Sequence, residues 1–175
     1  MKPLETERLI LREWKLEDAS DLYEYARTEL VGPNAGWKPH QTIDESRDII
    51  KKFIENQDTY AIVLKESDKV IGSIGLHHHD IDETKKHLKQ VILGYVLNPD
   101  YWGKGIMPEA VQRVLDYGFS ELRVGLIWCG HFDFNQQSKR VIEKCGFSYQ
   151  FNRPKFFESL NKEFEIYYYC IEKSN

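Results

Sequence analysis

The 175-residue sequence has no long apolar run, little cysteine and no excess of positive charge. A membrane-spanning helix needs about 18 or more consecutive apolar residues, and no segment of this sequence approaches that length. The chain opens on charged residues rather than on the apolar stretch of a signal peptide. We therefore expect a cytoplasmic protein without a membrane partner.

The cysteines are few and far apart, and no C-x-x-C pair is present, so neither a disulfide framework nor a zinc site is favoured. We expect Cys129, Cys145 and Cys170 to be small buried side chains, because each has apolar neighbours. The formal net charge of −4 argues against general nucleic-acid binding. With 41% hydrophobic and 30% charged residues, the composition is that of a globular protein, and the length predicts one domain over residues 1–175.

The most informative stretch is a glycine loop between a predicted strand and a predicted helix. The apolar run Val91–Leu97 precedes the loop, and Val111, Val114 and Leu115 recur after it at helical spacing. Pro108 suits the first helical turn, because its missing N–H and fixed φ cost nothing there. The loop therefore ends at a bare helix N-terminus, where free N–H groups and a partial positive charge attract phosphate.

This loop matches neither of two common phosphate-binding fingerprints. After Gly103 and Gly105, a dinucleotide-binding fingerprint requires a third glycine where this chain has Pro108. A P-loop requires four residues between its glycines, followed by Gly-Lys-Ser/Thr. A simple turn between strand and helix stays an alternative.

Two motifs, in this order, resemble the acetyl-CoA-binding core of the GNAT superfamily of N-acetyltransferases. They consist of Leu93–Leu97, Tyr101–Gly105 and Glu109–Ala110, followed by Asn135-x-x-Ser138 and Val141–Phe147. The opening segment, Thr6–Arg12, resembles the first strand of the branch that includes the N-terminal acetylases of ribosomal proteins. The resemblance therefore spans nearly the whole chain.

The resemblance implies an α/β fold, with a mixed, mostly antiparallel sheet of about six to seven strands splayed at a central parallel pair, and about four helices. The apolar pattern agrees with such a layout. It predicts two early helices, a hairpin and two later strands, placed at Leu16–Ala26, Thr42–Ile54, Tyr60–Lys65 with Lys69–Leu76, Val124–Cys129 and Phe164–Ile171. A right-handed crossover should make the Val124–Cys129 strand parallel to Val91–Leu97.

The resemblance also implies the coenzyme-binding residues. In the family, the loop backbone binds the diphosphate and the pantetheine arm pairs with the preceding strand. The expected coenzyme-binding residues are Val96, Leu97, Trp102, Gly103, Lys104, Gly105, Ile106, Met107, Asn135 and Ser138. One position departs from the family pattern, because Asp100 stands where Gln or Arg is usual and a carboxylate cannot donate to phosphate.

The expected catalytic residues are Ser138, His131 and Asp133. The resemblance implies that Ser138 protonates the departing thiolate, although helix capping would also explain a serine there. Many relatives carry a glutamate base where this chain has Ile92. His131 and Asp133 follow the predicted parallel strand, at the end where such sheets open their clefts. Other titratable candidates for the base are His77, His79, Asp80 and Glu165.

For the acceptor we expect contacts from Trp37, which lies in the loop between the first two helices, and from His77 and His79. No metal is expected, because the histidine run at 77–79 has no evident third ligand. The predicted function is transfer of an acetyl group from acetyl-CoA to a primary amine by direct attack, with protein N-termini, polyamines, antibiotics and small metabolites all open as acceptors. The alternatives are a non-catalytic acyl-CoA sensor and a nucleotide-binding regulatory domain. A homodimer formed through an exposed aromatic C-terminal strand is also left open.

Overall fold

Eight strands and four α-helices build residues 1–173, the part of the chain that the computed structural model describes. In chain order they are β1 (Leu4–Glu5), β2 (Leu9–Arg12), α1 (Ala19–Ala26), α2 (Ile43–Asn56), β3 (Thr59–Leu64), β4 (Lys69–His78), β5 (Gln90–Leu97), α3 (Ile106–Ser120), β6 (Leu126–Phe132), α4 (Gln136–Lys144), β7 (Ser148–Phe157) and β8 (Lys162–Glu172). Across these described residues, no helix is both long enough and apolar enough to span a membrane.

The strands form one sheet in the order β1-β2-β3-β4-β5-β6-β8-β7, in which only β5 and β6 are parallel. The mixed, mostly antiparallel sheet is therefore confirmed. Its strand number exceeds the expected one, because the sequence pattern predicted neither β1 nor β7. β1 has only two residues, and β7 is exposed along nearly its whole length, so neither shows the alternation that marks a half-buried strand.

The parallel pair separates part of the way along its length. β5 and β6 pair from Gln90 opposite Leu126 to Leu93 opposite Cys129 and no further. Beyond that point β5 continues along β4, while β6 continues along β8. A gap therefore opens inside the sheet, as the family resemblance implied.

The two faces of the sheet are covered by different helices. Tyr95 packs with the core cluster that contains α3 and part of α4, whereas Val96 packs with the cluster formed by α1 and α2. Alternate residues of a strand point to opposite faces. Ile92 and Gly94 therefore share the α1/α2 face with Val96, while Leu93 shares the α3/α4 face with Tyr95.

The C-terminal strand is not an exposed edge. β8 lies between β6 and β7, and Tyr168 and Tyr169 on it are buried. The expectation of an exposed aromatic C-terminal strand was therefore wrong, because the unpredicted β7 covers it. This removes the observation on which a homodimer through that strand rested.

Candidate functional site

The gap between β5 and β6 opens into a cavity of about 1600 Å³ that reaches both faces of the sheet. The α1/α2 face contributes Ser73, His77 and Gly94, and the α3/α4 face contributes Tyr95 and Ser138. The glycine loop lies at the cavity margin. The structure thus brings the residues of both sequence motifs to one place.

The glycine loop has the geometry of an anion site. Gly103 and Gly105 have φ values of +75° and +71°, a region that glycine enters without the steric penalty of a side chain. α3 begins at Ile106 without a side-chain cap, so the first N–H groups of the helix have no protein acceptor within it. The side chains of Ile106 and Met107 are buried in the core, and only their backbone can serve a ligand.

The loop is braced by an ion pair that the sequence analysis missed. Arg8 donates from Nη1 to the carbonyl oxygen of Lys104 at 2.9 Å, and its Nη2 lies 2.6 Å from Oε2 of Glu109. Burial opposes ionisation of Glu109, but hydrogen bonds from Thr6 and Arg8 outweigh it and lower the pKa of this carboxyl group. The acidic side chain in the first turn of α3 is therefore already paired.

Two groups that we expected to contact the coenzyme, the carbonyl oxygen of Leu97 and the side chain of Lys104, already have hydrogen-bond partners within the protein. Trp102 donates from its indole nitrogen to the carbonyl oxygen of Leu97 at 2.9 Å, so that oxygen already has a partner. Lys104 donates to the carbonyl oxygen of Asp100 at 2.8 Å and lies over the ring of Tyr101. Lys104 does not line the cavity, and its contact with the diphosphate stays a prediction.

Two other cations do line the cavity. Arg140 and Lys144 lie one turn apart on α4, and both are exposed. Neither was among the expected coenzyme-binding residues, although basic residues four apart on the helix that follows the Asn135 motif share one helix face. They supply positive charge on the α4 side of the cavity.

Ser138 is joined to a tyrosine that the sequence analysis did not select. Its Oγ lies 2.9 Å from the hydroxyl of Tyr95, on the part of β5 that has separated from β6. Burial raises the pKa of Tyr95 well above its ordinary value, so the phenol keeps its proton at neutral pH. The two hydroxyls lie on the α3/α4 face of the gap, and the role of Ser138 as a proton donor stays a prediction.

Asn135 acts as a helix cap. Its Oδ1 accepts from the backbone N–H of Ser138 at 3.0 Å, and its Nδ2 donates to the carbonyl oxygen of Asn34 at 3.2 Å. Both polar atoms of the side chain thus have protein partners. Its predicted bond to the pantetheine arm stays a prediction.

His131 and Asp133 lie in different environments, one buried and the other exposed. His131 lies within β6 rather than after it, because β6 runs on beside β8 as far as Phe132. Its ring is buried, and burial lowers its pKa. Asp133 is exposed, and its Oδ1 accepts from the backbone N–H of Phe134. Only His131 lines the cavity.

His77 stands at the mouth of the gap on the α1/α2 face. Its Nδ1 lies 2.9 Å from Oδ2 of Asp58, and Oδ1 of Asp58 accepts from the hydroxyl of Thr59 at 2.9 Å. A Cβ atom placed on Gly94 would lie 3.5 Å from Nε2 of His77. Asp58 gives no signal in the sequence, because its contact depends on how the α2–β3 loop meets the end of β4.

The remaining titratable candidates lie outside the cavity. His79 follows the end of β4 and is exposed, as is Asp80, and Glu165 accepts from Asn152 at 2.6 Å. None of the three lines the cavity. Among residues 1–173, no group of three or more His, Cys, Asp or Glu side chains is arranged to hold a metal ion.

The α1/α2 side of the cavity is rich in aromatic side chains. It is lined by Trp37, Phe53, Phe132, Phe134, Phe157 and Tyr168. The segment Val31–His40, which we call the strap, crosses from α1 to the β7–β8 turn, where the carbonyl oxygen of Gly36 accepts from Ser159 Oγ at 2.7 Å. Trp37 lies on the strap and lines the cavity, and its contact with the acceptor stays a prediction.

The charges on this side of the cavity are mostly positive. Lys38 and Lys155 line it, and Glu45 is the one carboxylate among the described lining residues. Oε2 of Glu45 accepts from the backbone N–H of Gln41 at 2.7 Å, near the start of α2. The described lining of the cavity therefore contains no cluster of carboxylates that would bind a polycation.

A family model described as Acetyltransferase (GNAT) domain matches residues 8–148. The uncharacterized N-acetyltransferase p20 of Bacillus licheniformis is 29% identical over 178 residues, which covers 99% of this chain and 97% of the relative. A solved structure of a GNAT-family acetyltransferase from Bacillus anthracis has a TM-score of 0.85 at 26% identity and covers 98% of both chains. The ribosomal-protein-S5-alanine acetyltransferase from Vibrio fischeri shares the fold, with a TM-score of 0.76 at 22% identity over 100% of this chain and 98% of the other.

Proposed function

The chain belongs to the GNAT family and is an acetyl-CoA-dependent N-acetyltransferase, and on that premise we propose that its acceptor is a primary amine on an apolar body without a second positive charge. The resemblance carried by the two sequence motifs is thereby confirmed. The observation that carries the proposal is the gap between β5 and β6. It joins a phosphate-binding loop and a proton donor on one face of the sheet to an aromatic pocket on the other.

The coenzyme is expected to enter from the α3/α4 face. Its diphosphate suits the N–H groups at the start of α3 beside Gly103 and Gly105, because a helix N-terminus without a cap favours anions. Arg140 and Lys144 add positive charge on α4. The pantetheine arm fits the gap as an added strand beside β5, and a backbone N–H near Leu93 or Gly94 is the expected oxyanion donor.

The departing thiolate receives its proton from Ser138 in this proposal. Tyr95 then supplies the hydrogen bond that keeps Ser138 oriented and replaces its proton. Because burial raises the pKa of Tyr95, the phenol keeps its proton at neutral pH and can donate a hydrogen bond. The two hydroxyls lie on the same face of the sheet as the proposed coenzyme path.

Direct attack by the amine is favoured over an acyl-enzyme route. Cys129 is a cysteine that lines the cavity, and burial raises its pKa to about 12. Burial also raises the pKa of Cys145. Since the thiolate is the nucleophilic form of cysteine, neither thiol is ready to take the acetyl group.

The positive charges that line the acceptor side of the cavity favour acceptors with a single ammonium group. A polyamine carries at least one further ammonium group, which would face Lys38 and Lys155 with only Glu45 to offset it. Like charges brought together in a binding site are strongly disfavoured. The aromatic side chains instead suit an apolar body, which would gain from burial against them.

A panel of acceptors tests the proposal through release of coenzyme A. We expect kcat/KM for phenethylamine or tryptamine to exceed that for spermidine by about tenfold or more. The double substitution Lys38→Glu, Lys155→Glu should raise kcat/KM for spermidine and so reduce the preference for the aromatic amines over spermidine. A preference for spermidine in the wild type, unchanged by the charge reversal, would refute the acceptor class.

A non-catalytic acyl-CoA sensor, the alternative that Ile92 in place of a glutamate base had left open, is disfavoured by the family match. A sensor should show a rise in melting temperature with acetyl-CoA but release no coenzyme A with any amine of the panel. Turnover with any one acceptor excludes it.

A further inference from the structure

We propose that His77 is the general base of the acetyl transfer and that Asp58 positions it, an inference that rests on the proposed function. Amines are protonated at neutral pH, and an ammonium group has no lone pair with which to attack a thioester. A base at the acceptor side of the gap removes that obstacle. His77 has the place, the orientation and a free ring nitrogen for this role.

The orientation of the imidazole follows from its partner. An ionised carboxylate can only accept hydrogen bonds, so Nδ1 of His77 carries the hydrogen in its 2.9 Å contact with Asp58. In the neutral ring Nε2 then holds a lone pair, and no described residue contacts it within hydrogen-bond distance. Thr59 holds the other carboxylate oxygen at 2.9 Å, which keeps Asp58 directed at the ring.

Two glycines make room for this ring. A Cβ atom on Gly75 would lie 3.1 Å from Cε1 and from Nε2 of His77, and only 2.3 Å from the backbone oxygen of Asp58. The Cβ position of Gly94 is 3.5 Å from Nε2. Gly94 is the first residue of β5 after the last pair with β6. Nε2 therefore stands beside the point where the gap opens.

His77 is also the cross-strand neighbour of Ile92, the position at which the family resemblance implied a glutamate base. In the β4–β5 register, His77 lies directly opposite Ile92. Directly opposed residues of an antiparallel pair project from the same face. The imidazole thus occupies the neighbouring strand position, across from the site where many relatives carry the carboxylate.

The proton balance assigns one task to each face of the sheet. Nε2 of His77 takes one proton from the acceptor ammonium, and the free amine forms a bond to the thioester carbonyl carbon. The C–S bond breaks, and Ser138 protonates the thiolate. The amide nitrogen gives up its second proton, which restores the Ser138–Tyr95 pair through solvent. His77 releases its proton to solvent, so one proton leaves per turnover.

Other ionisable side chains share the acceptor side of the cavity with His77. They are Asp58, which contacts the ring directly, and the cavity-lining Lys38, His40, Glu45 and Lys155. Burial lowers the pKa of His40, so its ring is neutral at and above neutral pH. His131 also lines the cavity, from β6. Its side chain points to the face of the sheet opposite the one that carries His77.

The test is the pH dependence of kcat/KM for the best acceptor of the panel. An alkylamine in solution loses its proton only near about pH 10. The wild type should be nearly flat from about pH 7 to 9, because His77 deprotonates bound ammonium. His77→Gln should instead rise about tenfold per pH unit over this range, since only free amine from solution reacts.

At neutral pH we expect His77→Gln to lose about a hundredfold in kcat/KM, and Asp58→Asn to lose less while keeping part of the flat region. His78→Gln is the matched control, because His78 is an exposed neighbour outside the cavity. All variants should keep the thermal shift with acetyl-CoA. A His77→Gln profile that stays flat refutes the base assignment, whereas absence of turnover in the wild type with every amine refutes the proposed function itself.

Discussion

At the scale of single residues, the proposed proton donor is a pair of hydroxyls, from Tyr95 and Ser138, that two distant chain segments bring together. The serine comes from the first turn of α4 and the tyrosine from β5, and their hydroxyls meet at 2.9 Å. A serine hydroxyl is a weak acid by itself. The buried phenol gives it a partner that stays protonated, because burial raises the tyrosine pKa well above its ordinary value.

We predict that Ser138→Ala lowers kcat by about tenfold to a hundredfold, because the thiolate then leaves without its donor. Tyr95→Phe should lower kcat less, since Ser138 itself remains. The measurement is steady-state kinetics at saturating acetyl-CoA, with the acetyl-CoA thermal shift as the check on binding. If Ser138→Ala raised KM for acetyl-CoA and left kcat unchanged, Ser138 would be a binding residue only.

The positions of cavity residues were predictable where a motif carried them and not where a tertiary contact did. Gly103, Gly105, Asn135 and Ser138 follow from short sequence patterns, and all four line the cavity. Asp58 has no such pattern, because its partner His77 comes from another element. His131 was placed after its strand because a polar residue ends an apolar run, yet pairing with β8 carries β6 through it.

At the scale of elements, the strap forms one wall of the aromatic side of the cavity. Gly36 has φ +92°, and a Cβ atom there would lie 2.5 Å from the ring of Phe157. The strap thus rests on the β7–β8 hairpin through a position where only glycine fits. The hydrogen bond from Ser159 to the Gly36 carbonyl oxygen secures the same contact.

We predict that Gly36→Ala lowers kcat/KM for the acceptor by about tenfold, because the strap must lift away from Phe157. The backbone strain also costs about 1–2 kcal/mol of stability. Ser159→Ala should have a smaller effect in the same direction. Both variants should keep the acetyl-CoA thermal shift, and losing it would show that the strap supports the coenzyme site instead.

The elements themselves were largely predictable, and the exceptions have physical causes. The helices and inner strands carry apolar residues at the spacing that burial requires. β7 is the outer edge of the sheet, exposed and interrupted by Pro154, which an edge strand tolerates but an inner strand does not. β7 is a strand because it pairs with β8, and this pairing leaves no periodic pattern in the sequence of β7 itself.

At the scale of the whole molecule, stability should fall in mildly acidic solution. Burial lowers the folded-state pKa of His40 and of His131 below the ordinary value of 6.5. The unfolded chain therefore binds more protons than the folded one as pH drops through 6.5 toward the lowered values. The free energy of unfolding decreases over that window and levels off below it.

We predict a lower melting temperature at pH 5.5 than at pH 7.5, and a smaller difference in His40→Asn and His131→Asn. Asparagine keeps a hydrogen-bonding group near the position of Nδ1 but takes up no proton. The lowered carboxyl pKa of Glu109 acts only at more acidic pH, below its ordinary value of 4.5. An equal pH difference in wild type and both variants would contradict the assignment to these histidines.

The short parallel pair has a mechanical consequence for the molecule. In the described sheet, the strand pairing between the half-sheet β1–β5 and the half-sheet β6–β8–β7 is limited to four residue pairs, from Gln90–Leu126 to Leu93–Cys129. The sheet thus contains a seam, where the β5–β6 pairing is shorter than the seven-pair ladders β4–β5 and β6–β8 on either side of it. A pantetheine arm bound in that seam would hold the two half-sheets together. With the coenzyme bound, both halves should therefore unfold in a single cooperative transition.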